Sequence, residues 1–166
     1  DRLARVNQSL VLLSKIEHNQ YQGLSMVSIN DIINETLNLL EDQIRIDKLT
    51  IRKNIDNNLS VNMNESLAYL LIKNVIKNAV IHNIEKGQIT ISQNNNKIII
   101  TNTGQVIKST TNKLFERFKV DVESEDSVGL GLSIIQKNCE VSNIQLTYNH
   151  ENGVHTVVLE FLFLQN

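Results

Sequence analysis

Between Asn62 and Asn83 the sequence NMNESLAYLLIKNVIKNAVIHN carries its apolar residues at helical spacing. Asn62 or Asn64 can cap its start, and Glu65 suits the first turn. At about 100° per residue, Leu67, Leu71, Asn74, Asn78 and His82 fall on one stripe, flanked by Leu70, Val75 and Ile81. Two asparagines thus lie in phase with core leucines, although a buried carboxamide left unpaired costs about 1–3 kcal/mol. Backbone atoms or water can satisfy one such group. Two at i and i+4, one turn before a histidine, point instead to a polar pocket lined by this helix.

The same periodicity predicts the other elements. Residues 1 to 22 form an amphipathic helix with Leu3, Val6, Leu10, Leu13 and Ile16 on one face, closed by Gly23. A short strand over Met26–Ile29 precedes a helix capped by Asn30 that runs to Asp47, with Ile33, Leu37, Leu40 and Ile44 inward. Thr50–Ile55 alternates as a half-buried strand, and Leu59–Val61 adds a short piece. Gln88–Ser92 and Lys97–Thr101 read as an antiparallel hairpin turned at Asn94–Asn96. Gly104 to Ser127 keeps no sustained period and has the length of a lid or binding loop. Val128–Val141 returns to helix, with Leu132, Ile135 and Cys139 inward. Ile144–Tyr148 and Val154–Phe163 flank Asn152-Gly153, a strong hairpin signal. The expected fold is α+β: a two-layer sandwich of a mostly antiparallel mixed sheet of about five strands with three helices, preceded by one helix.

Composition narrows the class. A chain of 166 residues with 41% apolar and 20% charged residues is that of a soluble globular domain. A net charge of −2 gives no reason to expect a nucleic-acid or membrane-surface partner. No apolar run approaches the roughly 20 residues of a spanning helix. One cysteine, Cys139, excludes an intrachain disulfide and fits a reducing compartment, and four scattered histidines make no zinc spacing. The absence of proline and the opening in mid-helix pattern suggest an excised fragment.

Three further stretches carry candidate chemistry. Asn102-Thr103-Gly104 ends a strand, where Gly104 permits close approach of a flat ligand, though alone it is an ordinary strand-to-turn sequence. Leu114-Phe-Glu-Arg-Phe118 puts two phenylalanines in a polar loop, with Arg117 able to reach a phosphate. Gly129-Leu-Gly131-Leu132 opens a helix whose N–H groups can face an anion, or serves simply as a loop hinge.

In this order the four stretches closely resemble the ATP-binding domain of bacterial sensor histidine kinases, within the superfamily that includes gyrase, MutL and the heat-shock chaperones (the Bergerat ATP-binding fold). NVIKNAVIHN resembles the N box, TNTG the first glycine box, LFERF the F box and GLGLSII the second glycine box. The resemblance covers residues 25 to 163. Leu12-Leu-Ser-Lys-Ile-Glu17 looks like the end of a second dimerisation helix. The division it implies is 1–24, the end of that helix, and 25–166, the catalytic domain.

The resemblance implies ATP and Mg²⁺ as cofactors. Asn78 would ligate Mg²⁺, a hard cation suited to an amide oxygen. Asn74 would contact phosphate or water beside it, and His82 would lie along the phosphates. Asn102 would accept from the adenine amino group beside Gly104. Gly129, Leu130, Gly131 and Leu132 would close over the phosphates with Phe115 and Lys119, and Arg117 would steady the transferred γ-phosphoryl group. It further implies a protein-histidine kinase fragment lacking its phosphoacceptor, since no histidine here is followed by an acidic residue and Arg-Thr-Pro. The implied partners are the dimerisation helices of the same kinase, a homodimer when whole, and a response regulator. The expected location is the cytoplasmic part of an inner-membrane sensor, joined to the membrane only through upstream segments.

Three positions depart from the family pattern: Asn102 stands for an aspartate, Val106 for a second glycine and Ile81 for a lysine. Hydrolytic relatives carry a carboxylate where Asn74 stands, so hydrolysis as the main task is not expected. Two alternatives remain, a nucleotide-binding regulatory module without turnover and a serine kinase of the same superfamily.

Overall fold

The structure, a computed structural model, describes residues 2–18, 20–55, 58–105 and 128–162. Its elements are α1 (Arg2–Glu17), β1 (Ser25–Ser28), α2 (Ile29–Leu39), α3 (Glu41–Ile46), β2 (Thr50–Asn54), β3 (Ser60–Met63) and α4 (Glu65–Ile81). Then follow β4 (Gln88–Asn94), β5 (Lys97–Thr103), α5 (Val128–Val141), β6 (Ile144–Glu151) and β7 (Val154–Phe161).

Five strands form an open mixed sheet in the order β2-β4-β5-β7-β6. Among the described strands only β2 and β4 run parallel, with β3 and α4 intervening as the crossover such a pair requires. The remaining neighbours are antiparallel, and Asn152 and Gly153, both with positive φ, turn β6 into β7. The other two strands, β1 and β3, pair antiparallel as a separate ribbon. The expected α+β sandwich is therefore present, with seven strands among the described residues divided between two sheets.

The core lies between one face of the sheet and the helices. Ile89, Ile91, Ile98, Ile100 and Leu159 meet Leu71, Ile72, Ile76 and Val80 of α4, with Ile33 of α2 and Ile135 of α5. Alternation along β4 and β5 is strict, so these isoleucines all reach the same face. Asn138, fully buried on α5, donates from Nδ2 to the Leu67 carbonyl at 2.8 Å and fastens α5 to the first turn of α4. Burial, then the neighbouring Glu140 carboxylate, push the Cys139 thiol up to about 12, so it packs as an apolar group.

Several local expectations need correction. Ser28, rather than Asn30, caps α2: its hydroxyl accepts from the Asp31 N–H at 3.2 Å. The helix expected to reach Asp47 breaks at Leu40, whose N–H still bonds back to Thr36 while ψ opens to 6°. Helix α1 ends at Glu17, and Gly23 instead takes a φ of +86° at the entry to β1. There Asn64, the cap of α4, donates to the carbonyls of Gln22 and Gly23 while accepting from the Leu67 N–H. One side chain thus starts the central helix and holds the incoming connection. Helix α1 packs against α5, burying Ile16 and half-burying Leu12 and Leu13. Leu10 and Val11 stay about half exposed.

Candidate functional site

Helix α4 supplies one wall. Its buried residues recur at helical spacing from Leu67 to Val80, and Asn74 and Asn78 stand at the edge of that band, half-buried. Asn74 donates from Nδ2 to the Leu70 carbonyl at 2.7 Å, one turn back. Asn78 differs: its buried Nδ2 has no hydrogen-bond partner among the described residues. A buried donor without a partner is costly, so this amide is placed to meet something that the described residues do not supply.

Facing the asparagines is Gly131, in the first turn of α5. A Cβ on Gly131 would lie 3.4 Å from Asn78 Oδ1, 3.7 Å from Asn78 Nδ2 and 4.0 Å from Asn74 Oδ1. The glycine therefore leaves open a small polar cleft between the two helices. Gly129 and Leu130 lie in the same first turn, and Leu132 follows half-buried. Phe115, Arg117 and Lys119, with Val106, fall outside the described residues.

The end of β5 forms the second wall. Asn102 is buried on the inner face and donates from Nδ2 to the Thr103 carbonyl at 2.8 Å. Thr103 ties this strand end to the end of α4: its hydroxyl donates to Asn83 Oδ1 at 2.6 Å and accepts from the Gln88 N–H at 2.8 Å. Gly104 is pressed from two sides, since a Cβ there would meet His155 Nε2 at 2.5 Å and the His82 carbonyl at 3.1 Å. His82 caps the C-terminus of α4. The two sequence-singled groups are thus brought together in part. Asn74, Asn78 and Gly131 gather at one place, and His82, Asn102 and Gly104 at another, joined through the last turn of α4.

Sequence reasoning passed over Asn83 and His155. Asn83 gave no signal beyond its place at a helix end. His155 offered one: in the alternation of β7 it shares the inward set with Val157, Leu159 and Phe161, an unusual place for a histidine.

Comparison with known proteins identifies the family and the fold. The profile of the histidine kinase-, DNA gyrase B-, and HSP90-like ATPases matches residues 63–165. The chain belongs to that ATP-binding family. Among individual relatives, the heme sensor protein HssS of Staphylococcus saprophyticus is 27% identical over 161 residues, which is 93% of this chain and 35% of that protein. The signal transduction histidine-protein kinase AtoS of Escherichia coli strain K12 is 32% identical over 143 residues, 80% of this chain and 22% of that one. The chain therefore spans about a third or less of the curated relatives it matches. The catalytic domain of histidine kinase ThkA superposes with a TM-score of 0.70 at 22% identity, covering 84% of this chain and 95% of that domain. The fold is that of histidine kinase catalytic domains.

Proposed function

We propose that this chain is the ATP-binding catalytic domain of a two-component sensor kinase. It transfers the γ-phosphoryl group of ATP to a histidine on a dimerisation helix, for relay to a response regulator. The observation that carries this reading is the buried Nδ2 of Asn78, opposite Gly131 and without a partner among the described residues. An amide plane can turn over, so Asn78 can offer its oxygen to a cation or its N–H to a phosphate. That donor set fits Mg²⁺ bound through nucleotide phosphates, with few protein ligands. Asn78 would hold the ion, which supplies charge neutralisation on the phosphates. The Oδ1 of Asn74, 4.0 Å from where a Gly131 Cβ would stand, would order water beside it.

At the other wall, Asn102 would accept from the adenine amino group, its Nδ2 being already engaged with Thr103. Gly104 would stand beside the base through its backbone, its Cβ side being taken by the His155 ring, and His82 would line the stretch towards Asn78. Gly129, Leu130, Gly131 and Leu132 would cover the phosphates through the backbone of the first turn of α5. Phe115, Arg117 and Lys119 are proposed to complete the cover, Arg117 at the γ-phosphoryl group. Transfer needs no base from this domain: a neutral imidazole nitrogen attacks phosphorus as the bond to the ADP oxygen breaks. Asn74, which lacks a carboxylate, cannot activate water for hydrolysis.

Residues 1–24 are read as the end of the second dimerisation helix and 25–166 as the catalytic domain. The names of two relatives support the kinase reading: AtoS is a histidine-protein kinase, and ThkA has been solved with the response regulator TrrA. In the whole kinase the domain would sit on the cytoplasmic side of the membrane. Among the described residues, no helix is long and apolar enough to cross one.

The test is titration with ADP in the presence and absence of Mg²⁺. Saturable binding in the micromolar to millimolar range, about −4 to −8 kcal/mol, is expected. Asn78→Ala should remove the magnesium-dependent part. Equal binding by this variant with and without Mg²⁺ would take Asn78 out of the role.

A further inference from the structure

We propose that His155 is a positioning residue of the nucleotide site: as a neutral imidazole it clamps the Asn102–Gln105 strand end, and protonation loosens that clamp. The inference rests on the nucleotide-binding reading above for its effect on affinity, but the clamp itself stands on geometry alone.

His155 lies on β7 directly opposite Asn102 on β5, so the two side chains share the inner face. Its ring is seated against Gly104, with Nε2 2.5 Å and Cδ2 2.6 Å from where a Cβ would stand. Both ring nitrogens are engaged. Nε2 lies 3.2 Å from the Gln105 carbonyl and Nδ1 lies 2.6 Å from the Tyr148 hydroxyl. A carbonyl can only accept, so Nε2 carries the hydrogen; in a neutral ring Nδ1 then accepts and Tyr148 donates. The neighbouring Gly104 N–H donates to the Gly153 carbonyl at 2.9 Å. The strand end that carries Asn102 and Gly104 is therefore gripped by the backbone ladder and by one imidazole of defined tautomer.

Adding a proton would place N–H groups on both nitrogens. The Tyr148 hydroxyl, now facing a donor at 2.6 Å, would have to turn and accept. Nor do the surroundings favour a cation. The titratable groups facing His155 are Tyr148 and His150 on β6, the latter with ring centroids 4.5 Å apart, and His82 at the end of α4. Tyr148, pushed up to about 12 by burial, stays neutral throughout. His155 is held below its ordinary 6.5, first by burial and then by His150, with His82 adding to this and the Gln105 carbonyl opposing it. A depressed histidine is neutral in the folded state while the unfolded chain already binds a proton. The stabilisation is therefore complete above the ordinary value and is lost as pH falls through the lowered one. Among the described residues no three His, Cys, Asp or Glu side chains are arranged to hold a metal, so the cluster acts through hydrogen bonds.

The test compares the wild-type chain with His155→Gln and His155→Phe. Glutamine is neutral and can both donate to Gln105 and accept from Tyr148; phenylalanine fills the space with neither bond. Two readouts are taken at about pH 7.5 and at an acid pH, lowered stepwise from about 5.5 for as long as the chain stays folded: ADP affinity, and hydrogen exchange at the Gly104 amide without nucleotide, referred to His155→Gln at the same pH. The wild type should lose about fivefold in affinity on acidification, with faster Gly104 exchange, while the Gln variant changes in neither respect beyond the nucleotide's own titration. The Phe variant should bind weakly and exchange fast at both values. The same pH dependence in His155→Gln and wild type, or Gly104 exchange that ignores pH in both, would overturn the clamp. If no variant binds ADP at either pH, the nucleotide reading fails, while Gly104 exchange still decides the clamp.

Discussion

Gly131 and Asn78 face one another across the seam between α5 and α4, so close that a methyl group on the glycine would rest 3.4 Å from the asparagine oxygen. That contact is ordinary van der Waals distance, which makes the pair informative. Gly131→Ala should fold, and should be more stable by about 0.5–1 kcal/mol because alanine suits a helix better. Yet the methyl would shield Asn78, so ADP with Mg²⁺ should bind about tenfold more weakly, or about 1.4 kcal/mol. Denaturant unfolding and nucleotide titration check the two signs separately. A variant that gains stability and keeps full affinity would show the cleft to be irrelevant to binding.

Asn102→Asp should bind ATP more tightly, since a charged acceptor makes the stronger hydrogen bond to an amino group. Here the structure adds a cost. Aspartate cannot donate to the Thr103 carbonyl as Asn102 does, so stability should fall by about 1–2 kcal/mol. GTP, with an acceptor where adenine has its amino group, should bind poorly to both forms. Equal ATP and GTP affinities in competition assays would mean that Asn102 does not read the base.

Thr103→Val removes a hydroxyl that accepts from the Gln88 N–H and donates to Asn83. Asn83 keeps the Ile84 N–H as a partner, so the main loss falls on the Gln88 donor. Destabilisation of about 1–3 kcal/mol is expected, read from the urea midpoint at unchanged slope. Full wild-type stability would show that β5 is not fastened to the end of α4 through this residue.

Asn64→Ala should cost about 1–2 kcal/mol from the lost cap alone. It also frees the carbonyls of Gln22 and Gly23, so proteolysis of the connection between α1 and β1 should quicken. Asn64→Asp, which caps equally well but cannot donate, should keep the stability of α4 and still show the faster cleavage.

This chain should bind ATP without labelling itself. His18, at the end of α1, bonds through Nδ1 to the Ser14 carbonyl and is followed by Asn-Gln, not by an acceptor context. Incubation with radiolabelled ATP should leave it unlabelled, and a separately made segment carrying the acceptor histidine should become labelled in trans. That label should be lost in acid, as a phosphorus–nitrogen bond is; acid-stable label on the chain itself would indicate a hydroxyl target and overturn the histidine-kinase reading.

Much of this protein could be read from local pattern. The isoleucine alternation of β4 and β5, the Asn152-Gly153 turn and the leucine stripe of α4 are short-range features, and each appears in the structure where the periodicity puts it. Asn74, Asn78, Asn102, Gly104 and Gly131 could be singled out as candidates from residue type alone, because backbone permissiveness and carboxamide chemistry are local properties; the Leu114–Phe118 motif lies outside the described residues. What sequence could not decide were the pairings between distant segments. Ser28 displaced Asn30 as a cap because its hydroxyl, not the asparagine, met the Asp31 N–H. The register that sets His155 against Asn102 arises from strand pairing across some fifty residues, for which one chain offers no local signal. Likewise, the packing of α5 on α4 sets Gly131 opposite Asn78, whose buried Nδ2 has no partner among the described residues. Burial and approach distance, rather than residue type, turned a polar stripe into a site.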